Sequence, residues 1–149
     1  MMTYLDAFGR RFYLVEEDGK LAYCGTEKPP HKEEGTSRLL QQAKEELEAY
    51  FQGKRKEFSV PLLVEATPFR EKVYEELAKI PYGEVLTYTE LAKRVGNEKA
   101  SRAIGTAMAK NEHMIFLPCH RVVAKKGLGG FGGGLDLKEK LLELEGRRE

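Results

Sequence analysis

The sequence predicts an α+β chain in two parts. A small N-terminal α+β domain of antiparallel strands plus a helix occupies residues 1–65, and a mainly helical C-terminal domain with a helix-turn-helix and a Pro-Cys-His-Arg-Val segment occupies 66–149. Three observations predict this. Apolar and polar residues alternate from 2 to 25, the period of half-buried strands. A helical apolar stripe follows over Leu39, Leu40, Ala43, Leu47, Tyr50 and Phe51. The pattern then restarts at Thr67-Pro68, an N-cap followed by proline at the first helical position.

Taken in order, Gly9-Arg10 and Glu17-Asp18-Gly19 break the first alternation into a three-strand meander. A polar, proline-containing stretch from 26 to 35 leads into the first helix, which Gly53 stops. Phe58, Val60, Leu62 and Val64 alternate as a further strand. After Thr67, the residues Phe69, Val73, Leu77 and Ile80 form a buried stripe. Pro81-Tyr82-Gly83-Glu84 is a turn, and Thr87-Tyr88-Thr89-Glu90 is a capping box opening a short helix that Gly96-Asn97 ends. A second short helix is expected from Glu98 to Lys110, and the pair makes the helix-turn-helix. An apolar run then leads to a strand around Cys119, followed by a glycine-rich loop over 127–134. The last helix is expected to be capped by Asp136, with Glu139 three residues on, to carry Leu137, Leu141 and Leu144, and to end at Glu145-Gly146.

A chain of 149 residues can bury one sizeable core or two small ones. It has no apolar run of the roughly 18 residues a membrane span needs, and its N-terminus lacks the order of a signal peptide, so a soluble, cytoplasmic protein with no membrane partner is expected. The two cysteines, Cys24 and Cys119, stand far apart with no zinc-ligand spacing, so no metal, cofactor or disulfide is expected. Net charge is only +1, but it is uneven: Lys99, Arg102, Lys110, Arg121, Lys125 and Lys126 face only Glu112 between 99 and 134, a local basic zone of the kind that binds DNA. The acids are 21 Glu against 3 Asp, and this Glu/Lys bias resembles that of heat-adapted proteins, suggesting a thermophile.

Cys24 lies in an apolar strand and reads as inert core. Cys119 differs, because Pro118 precedes it and His120 and Arg121 follow. Cationic neighbours favour the thiolate, the nucleophilic form. Adjacent side chains rarely face each other, so His120 is expected to act through a bridging water and to need a third group that orients the imidazole. Glu145 is one candidate among many acids.

The string LPCHRVV resembles the active-site motif of the O6-alkylguanine-DNA alkyltransferase family, also called methylated-DNA–protein-cysteine methyltransferases. PYGEVLTYTELAKRVGN, ASRAIGTAMAKN, the glycine-rich loop and the ending LLELEG resemble family segments in the same order, over about residues 67–146. The resemblance implies DNA repair by transfer of an alkyl group from O6-alkylguanine, and also from O4-alkylthymine, to Cys119, one turnover per molecule. His120, a water and Glu145 would remove the thiol proton. Tyr88 would donate to guanine N3, and the carbonyls of Cys119 and Val122 would accept from the exocyclic amine. Phe131 would stack on the base and the N–H of Gly132 would donate to O6, although the family commonly has Tyr and Ser there and a loop one residue longer. Asn111 would hold the turn before the active strand. Arg102 would replace the flipped nucleotide, with Ala100, Ser101, Ala103, Gly105 and Lys110 meeting the minor groove of double-stranded DNA. A monomer is expected.

Each residue also has an ordinary reading: Tyr88 as helix packing, Arg102 as a solvated charge, Asn111 as a C-cap. Their joint order around Cys119 decides against these. Three rivals are a lesion sensor without transfer chemistry, whose known relatives lack the acceptor cysteine, a cysteine hydrolase, and a regulatory DNA-binding module. Against the hydrolase, His31 lies in a polar loop and His113 near a helix end, so neither is a separated histidine with a convincing orienting partner.

Overall fold

The computed structural model describes residues 1–147, so positions 148 and 149 of the expected C-terminal domain lie outside the described residues. The chain forms two compact units, Met1–Val64 and Glu65–Glu149.

In the first unit β1 (Met2–Ala7), β2 (Arg10–Glu17) and β3 (Lys20–Gly25) form an antiparallel meander in that order, as the alternation predicts. Both connections are two-residue turns with positive φ at each central position, Phe8-Gly9 and Asp18-Gly19, the backbone that matches strand twist. Helix α1 (Arg38–Phe51), capped by the Ser37 hydroxyl, lays Leu40, Ala43, Leu47 and Tyr50 against Phe12, Leu14 and Leu21 as the core.

The strand expected at 58–64 does not form. Its one ladder contact is a bridge between Leu21 and Leu62, with Leu21 N donating to Pro61 O and Leu63 N to Leu21 O. Pro61 has no N–H to give, and the amides of Ser59 and Val60 donate instead to the buried carboxylate of Glu46 on α1. The Ser59 hydroxyl joins them at 2.6 Å.

In the second unit the Thr67 hydroxyl caps α2 (Pro68–Leu77), with proline at its start. Val73, Tyr74 and Leu77 are buried, whereas Phe69, expected in the same stripe, sits in the first turn at 36% exposure. The Thr87/Glu90 capping box of α3 (Tyr88–Arg94) is made in both directions, at 3.1 and 2.9 Å. Helix α4 (Ser101–Ala109) starts three residues later than expected. Asn97 holds the intervening turn, accepting from Lys99 N at its side chain and from Ala100 N at its carbonyl.

A parallel pair, β4 (Leu86–Thr87) and β5 (Val122–Val123), joins the start of α3 to the chain after Cys119. Cys119 itself lies not in a strand but in a 3₁₀ turn, Cys119–Arg121. Helix α5 (Leu135–Leu144) begins at Gly134, whose φ is +94°, and Asp136 falls inside its first turn instead of capping it. Among the described residues no helix is long and apolar enough to cross a membrane.

Candidate active site

The chain between α4 and the 3₁₀ turn is folded tightly by one side chain. Asn111 donates to Leu117 O at 3.0 Å and accepts from His113 N at 3.0 Å, closing a loop in which Leu117 N also donates to His113 O. Ile115, buried within it, has φ +73°, a conformation that costs a β-branched residue roughly 1–3 kcal/mol. This loop delivers Cys119 to an interior position, with the residue only 8% exposed. Burial raises the thiol pKa, and a hydrogen bond with Asn111 and the charge of Lys138 draw it back.

His120 and Arg121 point away toward the end of α5. His120 is fully buried, its Nε2 is 2.6 Å from Glu145 Oε2, and its Nδ1 has no hydrogen-bond partner. Hydrogen bonding to a carboxylate puts the proton on Nε2 and leaves the Nδ1 lone pair free. Burial lowers the His120 pKa despite the raising pull of Glu145, so the ring is a neutral acceptor near pH 7. Arg121 departs from expectation: its charge does not serve the thiol. Its Nε donates to Glu145 Oε1 at 2.8 Å, its Nη2 to Oε2 at 3.0 Å and its Nη1 to Ile80 O at 2.7 Å. Gly83 N adds a fourth donor to the carboxylate at 3.1 Å, and the Tyr82 hydroxyl donates to Leu144 O. The Pro81-Tyr82-Gly83 turn is thus a cradle for the end of α5. Of the acids among the described residues, Glu145 is the one the fold brings to the His120 imidazole.

The other wall is the glycine-rich loop. Tyr88, at the start of α3, has its pKa raised by burial and lowered by a hydrogen bond from the Gly130 backbone. A Cβ at Gly129, where φ is +75°, would stand 2.8 Å from the Tyr88 hydroxyl, so only glycine lets the loop lie this close. Lys138 of α5 is wholly buried, donates to Val122 O at 2.7 Å and to Gly130 O at 3.0 Å, and is brought down by burial to a pKa of about 8. Phe131 is half-buried and Gly132 exposed.

On α4, Arg102, Ala103, Thr106 and Ala109 are exposed, as is Lys110 just beyond its end, with Ser101 and Gly105 half-buried beside them. Ala100, expected on this face, is buried at the N-cap, because the turn at Asn97 precedes the helix. Sequence reasoning missed Lys138 and the Arg121 fork. The signal for Lys138 was present: a lysine three and four residues before Leu141 and Leu142 sits on the apolar side of its helix.

Comparison with known proteins matches both units. The model of the 6-O-methylguanine DNA methyltransferase DNA binding domain covers residues 68–147, and that of the 6-O-methylguanine DNA methyltransferase ribonuclease-like domain covers 13–64. A methylated-DNA–protein-cysteine methyltransferase of Metallosphaera sedula is 41% identical over 97% of this chain and 91% of its own length. The constitutive enzyme of that name from Bacillus subtilis is 42% identical over 91% of this chain and 81% of its own. The crystal structure of Mycobacterium tuberculosis OGT in complex with DNA aligns with a TM-score of 0.85 at 33% identity, covering 97% of this chain and 92% of that one.

Proposed function

Because the chain belongs to the O6-methylguanine DNA methyltransferase family and is a methylated-DNA–protein-cysteine methyltransferase, a DNA-repair enzyme, we propose that Cys119 is its alkyl acceptor. The observation that carries this is the buried thiol next to a histidine whose Nε2 is fixed by Glu145 and whose Nδ1 lone pair is free.

Burial keeps Cys119 a thiol at rest, so the reaction needs a base. His120 Nδ1 takes the proton through a water, and Glu145, 2.6 Å from the ring, stabilises the imidazolium that forms. The sulfur lone pair then bonds to the alkyl carbon of O6-alkylguanine. The carbon–O6 bond breaks, its electron pair passes into the purine, and the Tyr88 hydroxyl gives its proton to N3; the imidazolium's proton returns to Tyr88 through solvent, so that guanine leaves neutral. A thioether on Cys119 and an unmodified guanine remain. No group in the site can hydrolyse a thioether, so each molecule acts once. O4-alkylthymine, with the same alkyl–oxygen bond beside a ring nitrogen, is a second substrate.

A base in duplex DNA must leave the stack to reach a buried thiol. The exposed face of α4, small at Ala103 and basic at Arg102 and Lys110, enters the minor groove, and Arg102 fills the gap. Val122 O, Phe131 and the N–H of Gly132 receive the base. The second unit carries DNA binding and acceptance of the alkyl group, and the first serves as scaffold. The protein works as a monomer in the cytoplasm.

Incubation with duplex O6-methylguanine DNA, followed by intact-mass analysis and peptide mapping, tests this. One methyl group per chain on Cys119 is expected, with none on Cys119→Ser, which still binds DNA because its groove contacts do not involve the thiol. A methyl group on another residue, or multiple turnovers per chain, would overturn it.

A further inference from the structure

We propose that Lys138 is the positioning residue that holds the glycine-rich loop against the segment following Cys119, by bridging the carbonyls of Val122 and Gly130 with one ammonium group. The inference rests on the reading of Cys119 as acceptor and adds a residue to its machinery.

Lys138 enters from α5 with none of its surface exposed, between Leu137, Leu141 and Leu142. An apolar side chain would fill that place at no cost in desolvation, and a buried ammonium persists only with good partners. Its partners are two backbone oxygens on separate segments, at 2.7 Å on β5 and 3.0 Å in the loop. Gly130 is therefore held at both ends: Lys138 binds its carbonyl, and its backbone also hydrogen-bonds to Tyr88. Without the bridge, a loop with six glycines between 127 and 134 has few side chains to order it. The same ammonium is near enough to Cys119 to favour the thiolate. Lys138 thus acts through Gly130 and Tyr88, setting where the phenol stands, and through its charge on the sulfur.

The test uses the full chain, amide hydrogen exchange read by mass spectrometry, and methyl transfer from duplex O6-methylguanine DNA. In the wild type, residues 127–134 should exchange at least about tenfold more slowly than the mostly exposed stretch at 28–32, after correction for intrinsic rates. Lys138→Met should raise exchange in 127–134 about tenfold or more and slow transfer by a similar factor, leaving α2 to α4 unchanged. Leu142→Ala, which loosens α5 without touching the loop, should lower the melting temperature yet keep both readouts within about twofold of wild type. Lys138→Met with wild-type transfer, or Leu142→Ala reproducing both effects, would overturn the proposal. If Lys138→Met does not fold, the wild-type exchange decides: a loop exchanging like the 28–32 stretch refutes the bridge. Failure of the wild type to be methylated refutes the reading of Cys119 instead, and leaves the exchange comparison to judge Lys138.

Discussion

Glu145→Gln separates a carboxylate that merely ends a helix from one that anchors the site. From the sequence, the amide should keep the fold, being isosteric, and slow transfer at neutral pH while raising the apparent pKa of Cys119. The Arg121 fork changes the first expectation. Both side chains are buried, at 7% and 0% exposure, and the carboxylate accepts from His120, twice from Arg121 and from Gly83. Removing its charge strands a buried guanidinium, and breaking such a pair costs about 3–5 kcal/mol. The amide keeps one acceptor oxygen, so the lower figure applies. At about 4–8 °C per kcal/mol for a domain of this size, the melting temperature should fall by roughly 12–24 °C. A residue that only ended α5 would give the opposite sign, since removing an acid at the negative end of a helix dipole is neutral or stabilising by a few tenths of a kcal/mol. The amide also donates where the carboxylate accepted. It can therefore turn the imidazole so that the proton sits on Nδ1, which removes the base. Calorimetry, a thiol titration and a pH–rate profile of methyl transfer on the two proteins measure both effects. An unchanged or raised melting temperature would refute the anchoring argument, and an unchanged transfer rate the tautomer argument.

Gly129→Ala should destabilise the second unit by about 2 kcal/mol or more, because a side chain at φ +75° is strained and its Cβ would lie 2.8 Å from the Tyr88 hydroxyl and 3.2 Å from the backbone nitrogen of Ala124. Gly132→Ala, with nothing within 4 Å of the added carbon, should be neutral or slightly stabilising in the same urea titration, and equal losses would show the contact to be unimportant. Arg102→Ala should slow repair of duplex DNA while leaving reaction with the free alkylguanine base nearly unchanged; equal effects on both substrates would remove Arg102 from base extrusion. The His120 pKa is lowered by folding, so its contribution to stability is whole above the unfolded value near 6.5 and is lost as pH falls through the folded one. Urea unfolding at pH 7.5 and 5.5 should therefore show lower stability at 5.5, and a flat or rising profile would contradict a neutral buried imidazole.

Features written in neighbouring residues were legible in advance. The meander, the α1 stripe, the Thr67-Pro68 start and the Thr87/Glu90 box each depend on residues within a turn or two of one another. What failed was decided at a distance. The 58–64 strand was lost to Glu46, 13 positions from Ser59 in sequence. Arg121 was read as a helper of the adjacent thiol because adjacency is all a sequence displays, and Glu145, 24 positions away, claims it. The pairing of Leu86-Thr87 with Val122-Val123 is two residues long, too short to carry any periodicity. His120 could be seen to need a partner, and residue pattern alone left Glu145 one of 21 glutamates; the family resemblance pointed to it, and the fold adds the 2.6 Å contact. Lys138 was overlooked because a lone lysine is normally solvated, although its place in the helical pattern was available.

Cys119, His120 and Arg121 succeed one another in a single 3₁₀ turn, so the proposed nucleophile, the imidazole and the clamp on the imidazole's partner are linked by covalent geometry. That leaves the relay with one mechanical joint, the meeting of the turn with Glu145 just after the last turn of α5. Bond lengths do not loosen on heating, but the end of a helix does. Wear on this device should therefore begin at that joint, where loosening of the last turn of α5 would unseat the imidazole while leaving the thiol, α4 and most of the core in place.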